Sequence, residues 1–138
     1  MTHLLDTNCL IALAWENHDD HDKAHRWLRR VKSFATCPIT QGGFIRISSH
    51  PALGFANGPA DAFASLDSIL GDERHKFIAD DLSFDASEIG REAITGHGKV
   101  TDHYLAALAR RHKASLATFD EPLAKSFSGE AGLVTLIP

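Results

Sequence analysis

Short apolar blocks alternate with polar stretches along this chain, and their spacing predicts strands and helices in turn. Leu4-Leu5 runs straight into Asp6, and an apolar stretch from Cys9 to Trp15 follows at once. That pattern predicts a short buried strand ending at Asp6 and a first helix over 7–15, with Thr7 or Asn8 at its start. Asn17, His18, Asp19 and Asp20 then break the pattern and cap a second helix. In it Ala24, Trp27, Leu28 and Val31 fall at i, i+3, i+4 and i+7, one apolar face. Residues 34–37 form a β-like run closed by Pro38, and a third helix is expected from about Thr40 to Ser49. Its Gly42-Gly43 pair weakens the helix by about 1 kcal/mol per glycine, which is tolerated where something must approach the backbone closely.

Residues 50–58 read as loop, and Pro59 suits the first position of a fourth helix. That helix turns Phe63, Leu66, Ile69 and Leu70 inward and stops at Gly71. A third strand over 75–79 leads into Asp80-Asp81, followed by a weak helix near 85–94 and a Gly-His-Gly turn at 96–98. The clearest helix is 101–113, alanine-rich, with Leu105, Leu108 and Ala109 on one side. A fourth strand over 114–119 ends at Asp120, and 133–137 makes a fifth. Strands alternating with helices predict an α/β fold whose mostly parallel sheet of about five strands is covered on both faces.

Composition narrows the class. The 138 residues suit one domain with one core, 43% are hydrophobic and 23% charged, and no repeat or low-complexity tract appears. No run approaches the ~18 apolar residues of a membrane span. His3 and Asp6 interrupt the start and no basic segment precedes an apolar one, so a cytoplasmic protein without a signal peptide is expected. Two cysteines, Cys9 and Cys37, are too few for a disulfide framework and sit among apolar residues as packing groups. The net charge of −4 argues against a surface coated by nucleic acid, although a local basic patch remains compatible with it.

Such a patch is present on the second helix, where Lys23, Arg26, Arg29, Arg30 and Lys32 share the face away from the apolar stripe. Cations near the negative end of a helix dipole explain it structurally, and contact with an RNA backbone explains it functionally. His21 and His25 have the i, i+4 spacing of a helical zinc pair, but no third ligand at motif spacing completes a site.

The acids carry the sharper signal. Asp6 and Asp120 each end a short apolar strand, so in a parallel sheet they share one carboxyl edge, where α/β folds gather ligands. Asp102, in the first turn of its helix after Thr101 as N-cap, joins them if that helix starts above the same edge. Each acid alone is explained by capping or a turn. Three together repel unless a hard cation such as Mg²⁺ or Mn²⁺ sits among them. A divalent ion there suits phosphodiester hydrolysis.

At these residues the chain resembles a known family. Leu4-Leu5-Asp6-Thr7-Asn8, Cys37-Pro38-Ile39-Thr40-Gln41-Gly42-Gly43-Phe44-Ile45-Arg46, Thr101-Asp102-His103-Tyr104-Leu105-Ala106-Ala107-Leu108-Ala109 and Ala117-Thr118-Phe119-Asp120 follow in the order of a PIN domain. The pattern and length are most similar to VapC-type toxin ribonucleases, over almost the whole chain. The resemblance implies a Rossmann-like three-layer α/β/α sandwich and a Mg²⁺- or Mn²⁺-dependent endoribonuclease acting on tRNA, rRNA or mRNA. It implies metal-binding roles for Asp6, Asp102 and Asp120, with Thr7, Asn8 and Thr118 as neighbouring polar groups. A VapB-type antitoxin and a homodimer are the implied partners. Gln41 stands where the resemblance suggests a glutamate at the start of the third helix, which leaves the site one negative charge short. Glu121 is a substitute acid or a surface helix-cap residue. Arg46, about a turn and a half beyond Gln41, is either a contact for RNA phosphate or antitoxin or a plain surface arginine.

Because of Gln41, a PIN-like protein that binds RNA or a partner without cutting is the alternative. An aspartyl-nucleophile phosphatase is disfavoured because Asn8 stands two residues after Asp6. A dinucleotide site is disfavoured because no GxGxxG follows the first strand.

Overall fold

The computed structural model describes the whole chain, Met1–Pro138. Its centre is β1 (His3–Leu5), flanked by β2 (Phe34–Thr36) and β4 (Ser115–Thr118), with β3 (His75–Phe77) and β5 (Val134–Leu136) at the edges. All four pairings are parallel, in the order β3-β2-β1-β4-β5. Leu4 lies opposite Ala35 and Leu116, and Leu5 opposite Ala117. The chain winds outward from β1 to β3 and then crosses to β4. The strand order therefore reverses between β1 and β4, which opens a crevice at their carboxyl ends.

Alternation along the strands sends successive side chains to opposite faces. Leu4, Ala35 and Leu116 pack against α5 (Val100–Arg111) on one face. Leu5, Phe34 and Ala117 pack on the other with Leu10, Trp27, Phe44 and Leu66 of α1 (Thr7–Ala14), α2 (His21–Leu28), α3 (Pro38–Ser48) and α4 (Pro59–Leu70). With the short α6 (Glu121–Ser126), whose Leu123 joins the α5 side, this is the α/β/α sandwich.

Several elements differ from expectation for identifiable reasons. α3 begins at Pro38 rather than Thr40. Pro38 occupies the first helical turn, and Thr40 closes a capping box with Cys37. On α4, Leu66, Ile69 and Leu70 turn inward as expected, but Ala62 takes the inward place expected of Phe63, which is 54% exposed. The weak helix near 85–94 is two 3₁₀ turns, Ser87–Ile89 and Arg91–Ala93, separated by Gly90 in the left-handed region. Ile89 of this segment and Leu82 ahead of it join the core cluster of α5, in which His103 to Ala109 are all buried. α6 is too short to show periodicity. Thr101 lies inside α5, whose N-cap is Lys99.

Cys9 and Cys37 are buried free thiols, and burial pushes both upward in pKa. No helix is long and apolar enough to cross a membrane.

Candidate active site

Asp6 follows β1 directly and serves as N-cap of α1. Its Oδ1 accepts from the Thr7 backbone N–H at 2.8 Å, and its Oδ2 accepts from the Thr118 hydroxyl at 2.8 Å. The Thr118 Oγ1 in turn accepts from the Asp120 backbone N–H at 3.0 Å. One threonine thus ties the ends of β1 and β4 together and fixes the rotamer of Asp6. Asp120 is the N-cap of α6, accepting from Leu123 N–H at 3.1 Å. Capping is why the chain bends away at both acids and leaves them at the sheet edge.

Asp102 occupies the first turn of α5 and has no hydrogen-bond partner of this kind. Burial, then the charges of Asp6 and Asp120, push its carboxyl up to about 6, against a smaller opposing pull from His103. Asp6 is also raised, by burial first, with its hydrogen bonds to Thr118 and Thr7 opposing and Asp120 adding to the rise. Asp102 feels the charges of both Asp6 and Asp120, and Asp6 feels that of Asp120, so the three carboxylates share one electrostatic environment.

They also share one cleft of about 460 Å³. Asp6, Thr7, Asn8, Thr101, Asp102 and Asp120 line one side, and Pro38, Ile39, Gly42, Gly43, Arg46 and Ile47 of α3 line the other. Positions 39, 42, 43, 46 and 47 form a single helical stripe, so the register of α3 decides what faces the acids. Gly43 is the closest approach: a Cβ there would lie 2.9 Å from the Thr7 hydroxyl oxygen. The glycine pair is therefore a packing requirement at position 43, whereas a Cβ at Gly42 meets nothing within 4 Å.

No three acidic, histidine or cysteine side chains stand close enough to form a finished metal cage. The donor chemistry nevertheless fits a hard divalent cation, since carboxylate and hydroxyl oxygens surround an open, polar cleft whose acids repel one another. Mg²⁺ retains several of its own waters, so carboxylates that do not close into a cage are compatible with it.

The family model for the PIN domain matches residues 3–126. The chain belongs to the PIN-domain family. It is 43% identical to ribonuclease VapC39 of Mycobacterium tuberculosis over 141 aligned residues, covering 99% of this chain and 100% of that one. Among solved structures, the M. tuberculosis sarcin-ricin-loop-cleaving toxin VapC20 has a TM-score of 0.65 at 16% identity, covering 90% of this chain and 94% of that one. VapBC2 of Rickettsia felis, bound to a DNA fragment from its promoter, has a TM-score of 0.58 at 16% identity, covering 97% and 96%. The structural matches carry the fold, and the sequence match places this PIN domain among the VapC-type ribonucleases, enzymes that use a divalent metal.

Within this PIN domain the predicted residues divide. Asp6, Asp102, Asp120, Thr7, Asn8 and Arg46 come together at the cleft, and Thr118 supports it from beneath. Gln41 does not reach it. Two residues along a helix is about 200° of rotation, so Gln41 turns away from the stripe that carries Gly43. Its amide donates to the Thr36 hydroxyl at 3.0 Å, and that hydroxyl also bonds the His75 Nε2 at 2.7 Å. The residue on α3 that faces the acids is Gly43, and the repeated glycine was its only sequence signal.

Arg26, Arg29 and Arg30 line a separate concavity rather than the acidic cleft. Glu121 is exposed at the start of α6. His21 and His25 bind no common centre. The His21 Nδ1–H donates to the Ala12 carbonyl and the His25 Nε2–H to the Leu13 carbonyl, each at 2.8 Å. His103, buried beside Asp102, donates through Nδ1 to the Lys99 carbonyl at 3.0 Å.

Proposed function

We propose that this protein is the endoribonuclease toxin of a VapBC-type module, with Asp6, Asp102 and Asp120 as its metal-binding and catalytic residues and Mg²⁺ or Mn²⁺ as cofactor. The observation that carries the reading is the convergence of three carboxylates in one cleft, with Asp102 raised to about 6 by burial and then by the charges of the other two. A bound divalent ion supplies charge neutralisation at the phosphodiester and a lowered pKa for attacking water.

The chain's own groups do the rest. Thr118 and the Thr7 N–H hold Asp6 in one orientation, so its remaining lone pairs face a ligand without reorganisation. Arg46, exposed on the facing wall, offers a guanidinium to a substrate phosphate. Asn8 and Thr101 offer further polar contacts, and Ile39 and Ile47 provide an apolar wall for sugar or base. The expected ends are 5′-phosphate and 3′-hydroxyl.

The partner reading is a VapB-type antitoxin on a homodimeric toxin in the cytoplasm. An apolar groove beside the cleft supports a protein partner: Ile45, Leu66 and the exposed Phe63 line it together with Gln41 and Arg46. Arg46 belongs to both depressions, so a chain seated in the groove would also reach the cleft.

Expression with and without the neighbouring small open reading frame, followed by sequencing of RNA ends, tests the whole reading. New Mg²⁺-dependent ends, relieved by the neighbour and lost in Asp6→Asn, are the expected result. The unfinished metal cage favours a second reading, a PIN-like binder without catalysis. RNA binding with no metal-dependent cleavage would establish that reading instead.

A further inference from the structure

The basic helix does not form a wall of the acidic cleft, yet its cations converge. Lys23, Arg26, Arg29 and Arg30 surround a concavity of about 520 Å³ together with Trp27 and Pro138. Trp27 is 7% exposed and forms a fixed wall, held edge-on against the His3 ring. Lys23 makes only a loose pair with Asp20, at 3.8 Å. Arg26, Arg29 and Arg30 make no ion pair with any carboxylate of the chain.

Helix capping does not account for them. The carboxyl end of α2 is already served by Arg74, whose Nη1 donates to the Leu28 carbonyl at 2.7 Å and to the Val31 carbonyl at 3.0 Å. Arg74 is in turn neutralised by Asp72. In a chain of net charge −4, three exposed and unpaired guanidinium groups in the last turn of α2 and the turn that follows it are a local excess of positive charge. Like charges held this close repel, and a polyanion relieves that repulsion.

We infer that this face of α2 is a second phosphate-binding surface, which holds the backbone of a folded RNA while its scissile segment occupies the acidic cleft. The inference rests on the ribonuclease reading and adds to it what kind of RNA fits.

The two surfaces lie toward opposite ends of α1. Asp6 caps the start of that helix, and α2 is bonded through His21 and His25 to its last carbonyls. The 8 residues of α1 span about 12 Å. At the ~3.4 Å per nucleotide of a B-form strand, and less in an A-form RNA stem, that is a reach of at least about four nucleotides. A stem flanking the cut site covers it, and a short unstructured segment in the cleft does not. Phosphate contacts orient the RNA without reading its sequence, so the surface selects for shape and length.

The test separates binding from cleavage. Wild type and a triple variant (Arg26→Gln, Arg29→Gln, Arg30→Gln) are titrated in EDTA with a stem-loop RNA and with its single-stranded loop segment alone, over a range of salt. Glutamine keeps much of each aliphatic stem, and a triple lysine variant controls for charge. The expected result is an affinity for the stem-loop lower by about 10-fold or more, with the salt slope reduced by about 2 to 3. The loop segment should bind as before, and the lysine variant should retain most of the slope. An unchanged slope for the stem-loop, or equal losses for both RNAs, would overturn the inference. So would a loss confined to antitoxin affinity, which would make this a protein-binding face. Cleavage with Mg²⁺ is scored separately: if wild type binds but cuts neither RNA, the catalytic reading fails while the binding result stands.

Discussion

At the start of α1, Asp6, Asp102 and Asp120 converge on one side of an open cleft, whereas at its end His21 and His25 are each bonded to a backbone carbonyl. Both groups have the residue types of a metal site. The histidines also have ligand-like spacing in sequence, but their donors are used to satisfy the orphan carbonyls of a helix terminus. The acids, far apart in sequence, converge with charge left uncompensated. Spacing along a chain suggests a ligand site, and unsatisfied convergence in space is what marks one.

The largest effect expected from this contrast is on cleavage. Asp6→Asn, Asp102→Asn or Asp120→Asn should each lower single-turnover RNA cleavage by more than about 10²-fold, since loss of even an outer partner of a metal site costs 10–100-fold. Asparagine keeps the capping geometry at Asp6 and Asp120, so circular dichroism should show folded protein. An Asp variant with full activity would remove that residue from the site.

Next is the facing wall. Gly43→Ala places a Cβ 2.9 Å from Thr7 Oγ1 and 3.1 Å from Thr7 Cγ2. It should destabilise by about 1–3 kcal/mol in urea unfolding. Thr7→Ala in the same chain removes both short contacts and should recover much of that loss, a coupling measurable as a double-mutant cycle. Gly42→Ala, with open space, should instead stabilise by about 0.5–1 kcal/mol.

At the other end, His21→Ala and His25→Ala should each cost roughly 0.5–1 kcal/mol of stability and leave turnover unchanged. Zinc-dependent stabilisation of the wild type would contradict their assignment as capping groups.

The smallest effect is a pH dependence. Asp102, lifted from 3.8 to about 6, keeps its proton in the folded protein where the unfolded chain has released it. The associated stability is fully present below about pH 4 and is lost as pH rises through about 6. Mg²⁺ should therefore raise the melting temperature more above pH 6 than below it. That difference should shrink in Asp102→Asn.

The sheet and the acids were legible because both depend on local pattern. Leu4-Leu5 before Asp6 and Ser115 to Thr118 before Asp120 are apolar or small runs that end in acids, and a parallel sheet aligns such ends. The facing wall was not legible, because the buried stripe of α3 is Thr40, Phe44 and Ser48, whose single large apolar side chain does not reveal in sequence whether Gln41 or Gly43 turns toward the acids. The segment 85–94 departs from the expected helix because Gly90 adopts a left-handed conformation that halts one. The separation of the basic helix from the acids is a matter of tertiary placement, decided by how α2 docks on the end of α1.

The Thr118–Asp6 bond joins residues 112 positions apart, and β1, the central strand, pairs with β4 across nearly the same separation. During synthesis the amino-terminal strand and its acid emerge first, and β4, together with the remaining two acids, emerges near the end. A ribosome-bound fragment or a truncated product carries Asp6 but has no cleft to place it in. A chain that ends before β4 has neither Thr118 to hold Asp6 nor Asp120 to stand beside it.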